Sequence, residues 1–187
     1  LRLSSLVGKG FQMRSLTSIF IGAAFSASIA GAALAAAHPP AKPVSAAFYT
    51  GKWYEIARTP NSGQRDCEAA TTQFTTTGAS GFKVVQICRK GSASGAAKTF
   101  NTTGKIVPET RNAKFSMSFL GGLKKQEYWV LDRADDQSWA IMATPGGNFV
   151  WLLSRDAVMA PAAKAAALAR VKALGYAKLE FPAQPPA

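Results

Sequence analysis

The chain has 187 residues, 48% of them apolar and 17% charged, with a formal net charge of +12 and two cysteines. That length and apolar content suit one globular domain with a real core and exclude a disordered chain. The cations form no long basic run interleaved with aromatics, so nucleic acid is not an expected partner. An anionic membrane surface fits the charge better in an exported protein.

Export is what the N-terminus suggests. Met13-Arg14 supplies a positive flank, Ile19 to Ala33 is apolar and built largely of small residues, and Ala33-Leu34-Ala35 has the form of a cleavage signal. Residues 1–35 are therefore expected to be an N-terminal extension and a cleaved secretory signal, with Met13 a candidate start and Ala36 the first mature residue. The uncharged run from Ser15 to Ala37 is long enough to span a bilayer, but its Ala, Gly and Ser content and the lack of a following positive flank favour cleavage. Loss of this segment removes Arg2, Lys9 and Arg14 and takes the net charge from +12 to +9. No cysteine lies near the cleavage site to carry a lipid anchor. The expected location is the periplasm, in solution or against the outer membrane. Residues 36–47, rich in Pro and Ala, are expected to be a mobile tether.

Strand-forming segments then follow at short, regular intervals. Phe48 to Arg58 reads as strand after a short entry, with Trp53, Tyr54 and Ile56 favouring β structure. Thr59 to Asp66 is a loop of turn formers. Thr71 to Thr77 and Phe82 to Arg89 flank the turn Gly78-Ala79-Ser80-Gly81 and read as a hairpin. Lys98 to Val107 is a further strand. Ala113 to Leu120 alternates, with Phe115, Met117 and Phe119 on one face and Ser116 and Ser118 on the other. Glu127 to Arg133, Ser138 to Ala143 and Phe149 to Arg155 complete eight strands. Pro161 to Leu174 changes character: it is Ala-rich, begins at Pro and ends before Gly175, which suits one helix.

Each connection between strands is too short for a crossover helix, so neighbours are expected to pair antiparallel. The pattern predicts an all-β fold, an eight-stranded antiparallel up-and-down barrel with one C-terminal α-helix packed outside, over residues 48–183, with 184–187 as a tail. A two-sheet sandwich with a filled core fits the same strand count. Cys67 and Cys88 flank one hairpin almost opposite each other, and export places them in an oxidising compartment, so a disulfide between them is expected.

Gly51-Lys52-Trp53-Tyr54-Glu55-Ile56-Ala57-Arg58 resembles the first-strand motif of the lipocalins, and Phe149-Val150-Trp151-Leu152-Leu153-Ser154-Arg155 resembles their last-strand motif. The likeness runs from Phe48 to Phe181 and is strongest to the bacterial outer-membrane lipocalins and their relative apolipoprotein D. It implies a calycin barrel in which Gly51, Trp53 and Arg155 are structural, with Trp53 plugging one end and Arg155 stacked across it as a cation–π pair. The turn Ala134-Asp135-Asp136-Gln137 departs from the family pattern, because it lacks the aromatic of the middle motif. Cysteines like Cys67 and Cys88 are frequent in proteobacterial members.

The resemblance also implies which side chains line the interior: Phe74, Gln86, Phe119, Tyr128 and Trp151. Val84, Phe115, Met117 and Leu153 lie on the same faces by alternation. Phe74, Gln86, Met117, Phe119, Tyr128 and Trp151 are the candidate ligand-binding residues. Such a set suits a small hydrophobic or amphiphilic ligand, a fatty acid or lysophospholipid, carried or stored for membrane maintenance. No cofactor, metal or catalytic residue is expected. The single histidine, His38, lies outside the strands, so neither a Ser/His/Asp set nor a zinc site can be assembled. A tetrapyrrole carrier is the alternative, with Tyr128 or Cys88 as the available iron ligands, and a lipocalin enzyme is the third reading. Monomer and homodimer are both compatible with the sequence.

Overall fold

The computed structural model describes residues 36–185, so the signal segment expected over residues 1–35 lies outside the described residues. Eight antiparallel strands close into one barrel in simple chain order. They are β1 (Gly51–Arg58), β2 (Cys67–Thr76), β3 (Gly81–Lys90), β4 (Ala97–Ile106), β5 (Lys114–Phe119), β6 (Lys124–Arg133), β7 (Trp139–Ala143) and β8 (Val150–Ser154). The helix α1 (Pro161–Ala173) follows. β1 pairs with both β2 and β8, which removes the free edges that a sandwich would leave.

Alternation along the strands builds two cores. Inside the barrel, Trp53, Phe74, Phe82, Val84, Phe115, Met117, Val130, Met142 and Leu153 pack together. Outside it, Ile56, Leu131, Ile141 and Leu152 are covered by Ala167 and Val171 of α1. β8 is apolar at successive positions because both of its faces are buried. β4 sends one face to water and reads as mostly polar. The helix begins with Pro at its first turn and carries Arg170 and Lys172 in its last, where cations favour the dipole. Arg170 Nε, 2.6 Å from Asp132 Oδ2, fixes it to β6.

Four segments differ from expectation. Phe48 and Tyr49 are not strand: Ala46–Tyr49 forms a 3-10 turn capped by the Ser45 hydroxyl, and β1 starts at Gly51. β2 and β6 begin earlier than predicted, at Cys67 and Lys124, because cross-strand pairing extends them through residues of weak β propensity. Residues 36–47 do not hang free in the structure. The backbone N–H groups of Ala37, Ala41 and Val44 donate to the carbonyls of Pro145, Leu131 and Arg111, and Ala37 and Val44 are buried. Lys42 Nζ adds an ion pair to Asp135 at 2.9 Å, which holds the Asp135 carboxyl below its ordinary pKa. The chain end returns as well: Glu180 bridges to Arg58 in the backbone, and Gln184 Nε2 donates to the Glu55 carbonyl at 2.9 Å.

Candidate functional site

An up-and-down barrel has two ends, and here they differ in every respect. One end is formed by the start of β1 and the connections β2–β3, β4–β5 and β6–β7. The 3-10 turn before β1 swings Phe48 and Tyr49 across it. The Tyr49 ring lies 5.0 Å from that of Phe115, 5.4 Å from Phe82 and 6.0 Å from Phe74. Its hydroxyl donates to the Asn112 carbonyl, and burial pushes its pKa far above the ordinary phenol range. Phe48 packs at 5.3 Å on Trp53, whose indole N–H donates to the Tyr49 carbonyl at 3.1 Å.

Arg155 seals this floor from outside. Its guanidinium carbon stands 3.6 Å from the Trp53 ring centroid. Nη1 donates to the carbonyl of Thr50 at 2.9 Å and of Lys52 at 3.3 Å, and Nη2 donates to that of Phe48 at 2.5 Å. Burial lowers its pKa below the ordinary guanidinium range, and a guanidinium facing three carbonyls and a π face has the partners that favour a cation. Gly51 makes this approach possible. Its φ is +103°, and a Cβ there would stand 3.1 Å from Arg155 Nη1.

Above the floor the barrel holds a cavity of about 280 Å³ that opens between the connections β1–β2, β3–β4, β5–β6 and β7–β8. Phe74, Gln86, Met117, Phe119, Tyr128 and Trp151 all line it. Phe115 and Leu153 line it too, whereas Val84 lies in the packed core nearer the floor. Tyr128 stacks on Phe115 at 5.4 Å and meets Trp151 at 5.8 Å, giving one aromatic wall. Burial pushes the Tyr128 pKa up to about 12, so its hydroxyl stays protonated at neutral pH.

The other wall is polar and was not legible in the residue pattern. Glu55, Asn61 and Gln64 line the cavity beside the mouth. Gln64 Oε1 accepts from the indole N–H of Trp151 at 2.9 Å and from Asn61 Nδ2 at 2.8 Å. Its Nε2 donates to Glu55 Oε2 at 2.8 Å, and Arg58 Nη1 donates to Glu55 Oε1 at 2.8 Å. Arg58 also donates to the carbonyls of Gln64 and Cys67, both at 3.0 Å, and pairs with Glu180 at 3.0 Å. Desolvation raises the Glu55 pKa above its ordinary 4.5, and the bonds from Arg58 and Gln64 only partly offset this. In a regular strand Glu55 and Arg58 would face opposite ways. A register shift in β1 between Glu55 and Ala57 turns both to one side. The sequence signal for it would have been the buried pair itself, which strand alternation hides.

Cys67 and Cys88 form a disulfide with Cα atoms 5.3 Å apart, at the rim. Around the mouth stand apolar side chains that water still reaches. Leu120 is 75% and Leu123 91% exposed, on the β5–β6 connection, and Phe149 is partly exposed on β7–β8. Among the described residues no group of three or more His, Cys, Asp or Glu is placed to hold a metal, and no helix is long and apolar enough to cross a membrane.

A closed antiparallel barrel, sealed at one end and open at the other onto an apolar cavity, is the architecture of a barrel that holds a small ligand. Residues 44–185 match the family described as the lipocalin-like domain, and the chain belongs to the lipocalin family. It is 30% identical over 116 residues to R877 of Acanthamoeba polyphaga mimivirus, described as a lipocalin, covering 57% of this chain and 64% of that protein. It is 28% identical over 110 residues to the outer membrane lipoprotein Blc of Vibrio cholerae, covering 57% and 62%. The matched region thus spans less than two thirds of the length of these curated relatives. Among solved structures, insecticyanin from the tobacco hornworm Manduca sexta aligns with a TM-score of 0.60 over 81% of this chain and 92% of its own, at 20% identity, which bears on the fold alone.

Proposed function

We propose that the barrel binds one fatty acid, lysophospholipid or similar single-chain amphiphile and carries or stores it for membrane maintenance, without catalysing a reaction on it. The observation that carries this reading is the cavity: about 280 Å³, walled by Phe74, Phe115, Met117, Phe119 and Trp151, and open at one end. That volume lies at the low end of ligand pockets, which run from roughly 300 to 1,000 Å³. It favours a slender chain over a flat macrocycle. Apolar ligand area moved out of water stabilises the complex by about 25 cal/mol per Å², before ordering costs. The Cys67–Cys88 disulfide supports an oxidising compartment such as the periplasm, and the likeness to an outer membrane lipoprotein supports a place near that membrane.

The mouth supports release at a membrane. Leu120 and Leu123 project into water beside Lys124 and Lys125, so the rim offers apolar tips with adjacent cations to an anionic bilayer.

Of the four tryptophans, Trp151 is the one that lines the cavity. Titration of the protein with a fatty acid and a lysophospholipid, followed by tryptophan fluorescence, should show a saturable change at micromolar ligand and one ligand per barrel, reduced in Trp151→Ala. A folded, delipidated protein that responds to no chain length would sink the reading. A visible absorption band in the purified protein would instead favour a pigment carrier.

A further inference from the structure

We infer that the rim of the barrel carries an anion site formed by Arg65, Lys90 and Lys98, which receives the phosphate or carboxylate head of an amphiphile whose chain occupies the cavity. This rests on the lipid-binding reading above and names the class of ligand: anionic, single-chain amphiphiles rather than neutral ones.

The argument starts from strand register. Side chains alternate across a strand, so residues two apart share a face. On β3 the inward row runs from floor to mouth as Phe82, Val84, Gln86, Cys88 and Lys90. Phe82 and Val84 belong to the interior core, Gln86 and Cys88 line the cavity, and Lys90 lines a small recess at its rim. The neighbouring strand repeats the order. Cys88 pairs with Lys98 and Gln86 with Phe100, so Lys98 stands on the inner row of β4 one step above Phe100. Cys67, disulfide-bonded to Cys88, pairs with Lys90. The crosslink therefore fixes the stretch of rim from which both lysines rise. Arg65 joins them from the β1–β2 connection.

The recess holds about 50 Å³ and shares Gly63, Cys67, Cys88 and Phe100 with the main cavity. Three cations and one carboxylate line it. The carboxylate, Asp66, is 73% exposed and its Oδ2 lies 4.0 Å from Lys90 Nζ, a loose contact that leaves positive charge in excess. Lys98 Nζ lies 4.8 Å from the ring centroid of Phe100, so its ammonium is held over a ring that also faces the cavity. Inward lysines at the mouth contribute nothing to the barrel's apolar interior. Their placement grades the wall from aromatic at the floor, through Gln86, to cationic at the rim, which is the polarity order of an anionic amphiphile entering chain first.

The test compares two ligands with the same acyl-glycerol body, a lysophosphatidic acid and the matching monoacylglycerol, on the full protein and on Arg65→Gln/Lys90→Gln/Lys98→Gln. The phosphorylated ligand should bind about 10-fold tighter to the native protein, as expected when an anion gains several charge-assisted hydrogen bonds. The triple variant should erase that preference and leave monoacylglycerol affinity within about twofold, which also shows that the variant is folded. Raising salt should weaken only the phosphorylated ligand. Equal affinity for the two ligands on the native protein, or a preference that survives in the variant, would overturn the anion site while leaving the lipid-binding reading intact. Binding of neither ligand would overturn both. Displacement of the lysophosphatidic acid by equimolar inorganic phosphate would assign the site to the free anion and overturn its role as a headgroup site.

Discussion

The two ends of the barrel are built from the same eight strands with the same alternation, yet one is closed and dry and the other open and wet. At the closed end the inward positions are large: Trp53, Phe74, Phe82 and Phe115, with Phe48 and Tyr49 added by the turn before β1. Phe82 fills its place only because its neighbour across the ladder is Gly104. A Cβ on Gly104 would stand 2.2 Å from the Phe82 ring. Toward the open end β2 and β3 carry small or polar residues on the same inward rows, Ala70, Thr72, Gln86 and Cys88, opposite the aromatic wall of Phe119, Tyr128 and Trp151. Closure is thus set by the side chains that the turn before β1 swings across the floor and by the bulk of β2 and β3 beneath them, not by topology. The polar groups follow the same division. Those at the floor are spent on structure, with Arg155 on three carbonyls and Tyr49 on Asn112. Those at the mouth form a chain from Trp151 through Gln64 to Glu55 and Arg58 that also faces the cavity.

The largest effect should come from breaking the closed end. Trp53→Ala removes a fully buried ring that also supports Phe48 and Arg155. The expected cost is about 3–5 kcal/mol, read as a lower urea midpoint. If the floor only plugs the barrel without stabilising it, the midpoint will not move and the ligand titration alone will change.

The closed end was also the more legible of the two in the sequence, through the resemblance of the first-strand and last-strand motifs, and the structure supplies the physical reason for those residues. Gly51, Trp53 and Arg155 are tied to backbone geometry: a positive φ, a buried indole and a guanidinium that meets carbonyls. Their identities leave little freedom. The strands around them were legible through period-two patterning at Phe115, Met117 and Phe119, and through turn formers at Gly78 to Gly81. The entry to β1 is longer than the pattern shows, because the Ser45 hydroxyl caps a 3-10 turn through Phe48 and Tyr49, whose aromatic β propensity hides it. On the aromatic wall of the cavity, Phe74, Tyr128 and Trp151 were implied by the family resemblance, and alternation added Phe115, Met117 and Leu153 on the same faces. The polar wall could be placed by neither. Gln64 and Asn61 sit on a loop with no periodicity, and the β1 irregularity at Glu55 breaks the alternation from which facing is inferred. Phe100 and Lys98 carry no pattern signal, because β4 is mostly exposed and shows no apolar stripe.

A smaller effect should appear at the polar wall, as a pH dependence. Glu55 has a raised pKa in the fold, chiefly from burial, so the folded protein holds that proton more tightly than the unfolded chain. Its contribution to stability is fully present below the unfolded value near 4.5 and is lost as pH rises through the folded value. The native protein should therefore lose stability from this group as pH climbs out of the acid range. Glu55→Gln should remove that slope. The two proteins should be closest at acid pH, because protonated Glu55, like the amide, turns one donor and one acceptor toward Arg58 and Gln64. Chemical denaturation of both proteins at several pH values gives the difference curve. A flat difference curve would mean that Arg58 and Gln64 offset the burial in full.

The smallest effect on stability should come from the rim, where the effect on function is expected to be plain. Leu120 and Leu123 bury almost nothing in the fold, so Leu120→Asp/Leu123→Asp should shift the unfolding free energy by no more than about 0.5 kcal/mol. The same change places two carboxylates beside Lys124 and Lys125 and removes the apolar tips. If the mouth docks on membranes, sedimentation with vesicles containing anionic lipid should fall sharply, while the affinity for a soluble single-chain ligand should stay as it was, because neither leucine lines the cavity. Lys124→Gln/Lys125→Gln should weaken vesicle binding in a salt-dependent way and leave the apolar contribution in place. If the leucine variant sediments as the native protein does, the exposed tips have no part in membrane contact, and the open end then differs from the closed one in its cavity and polar wall alone.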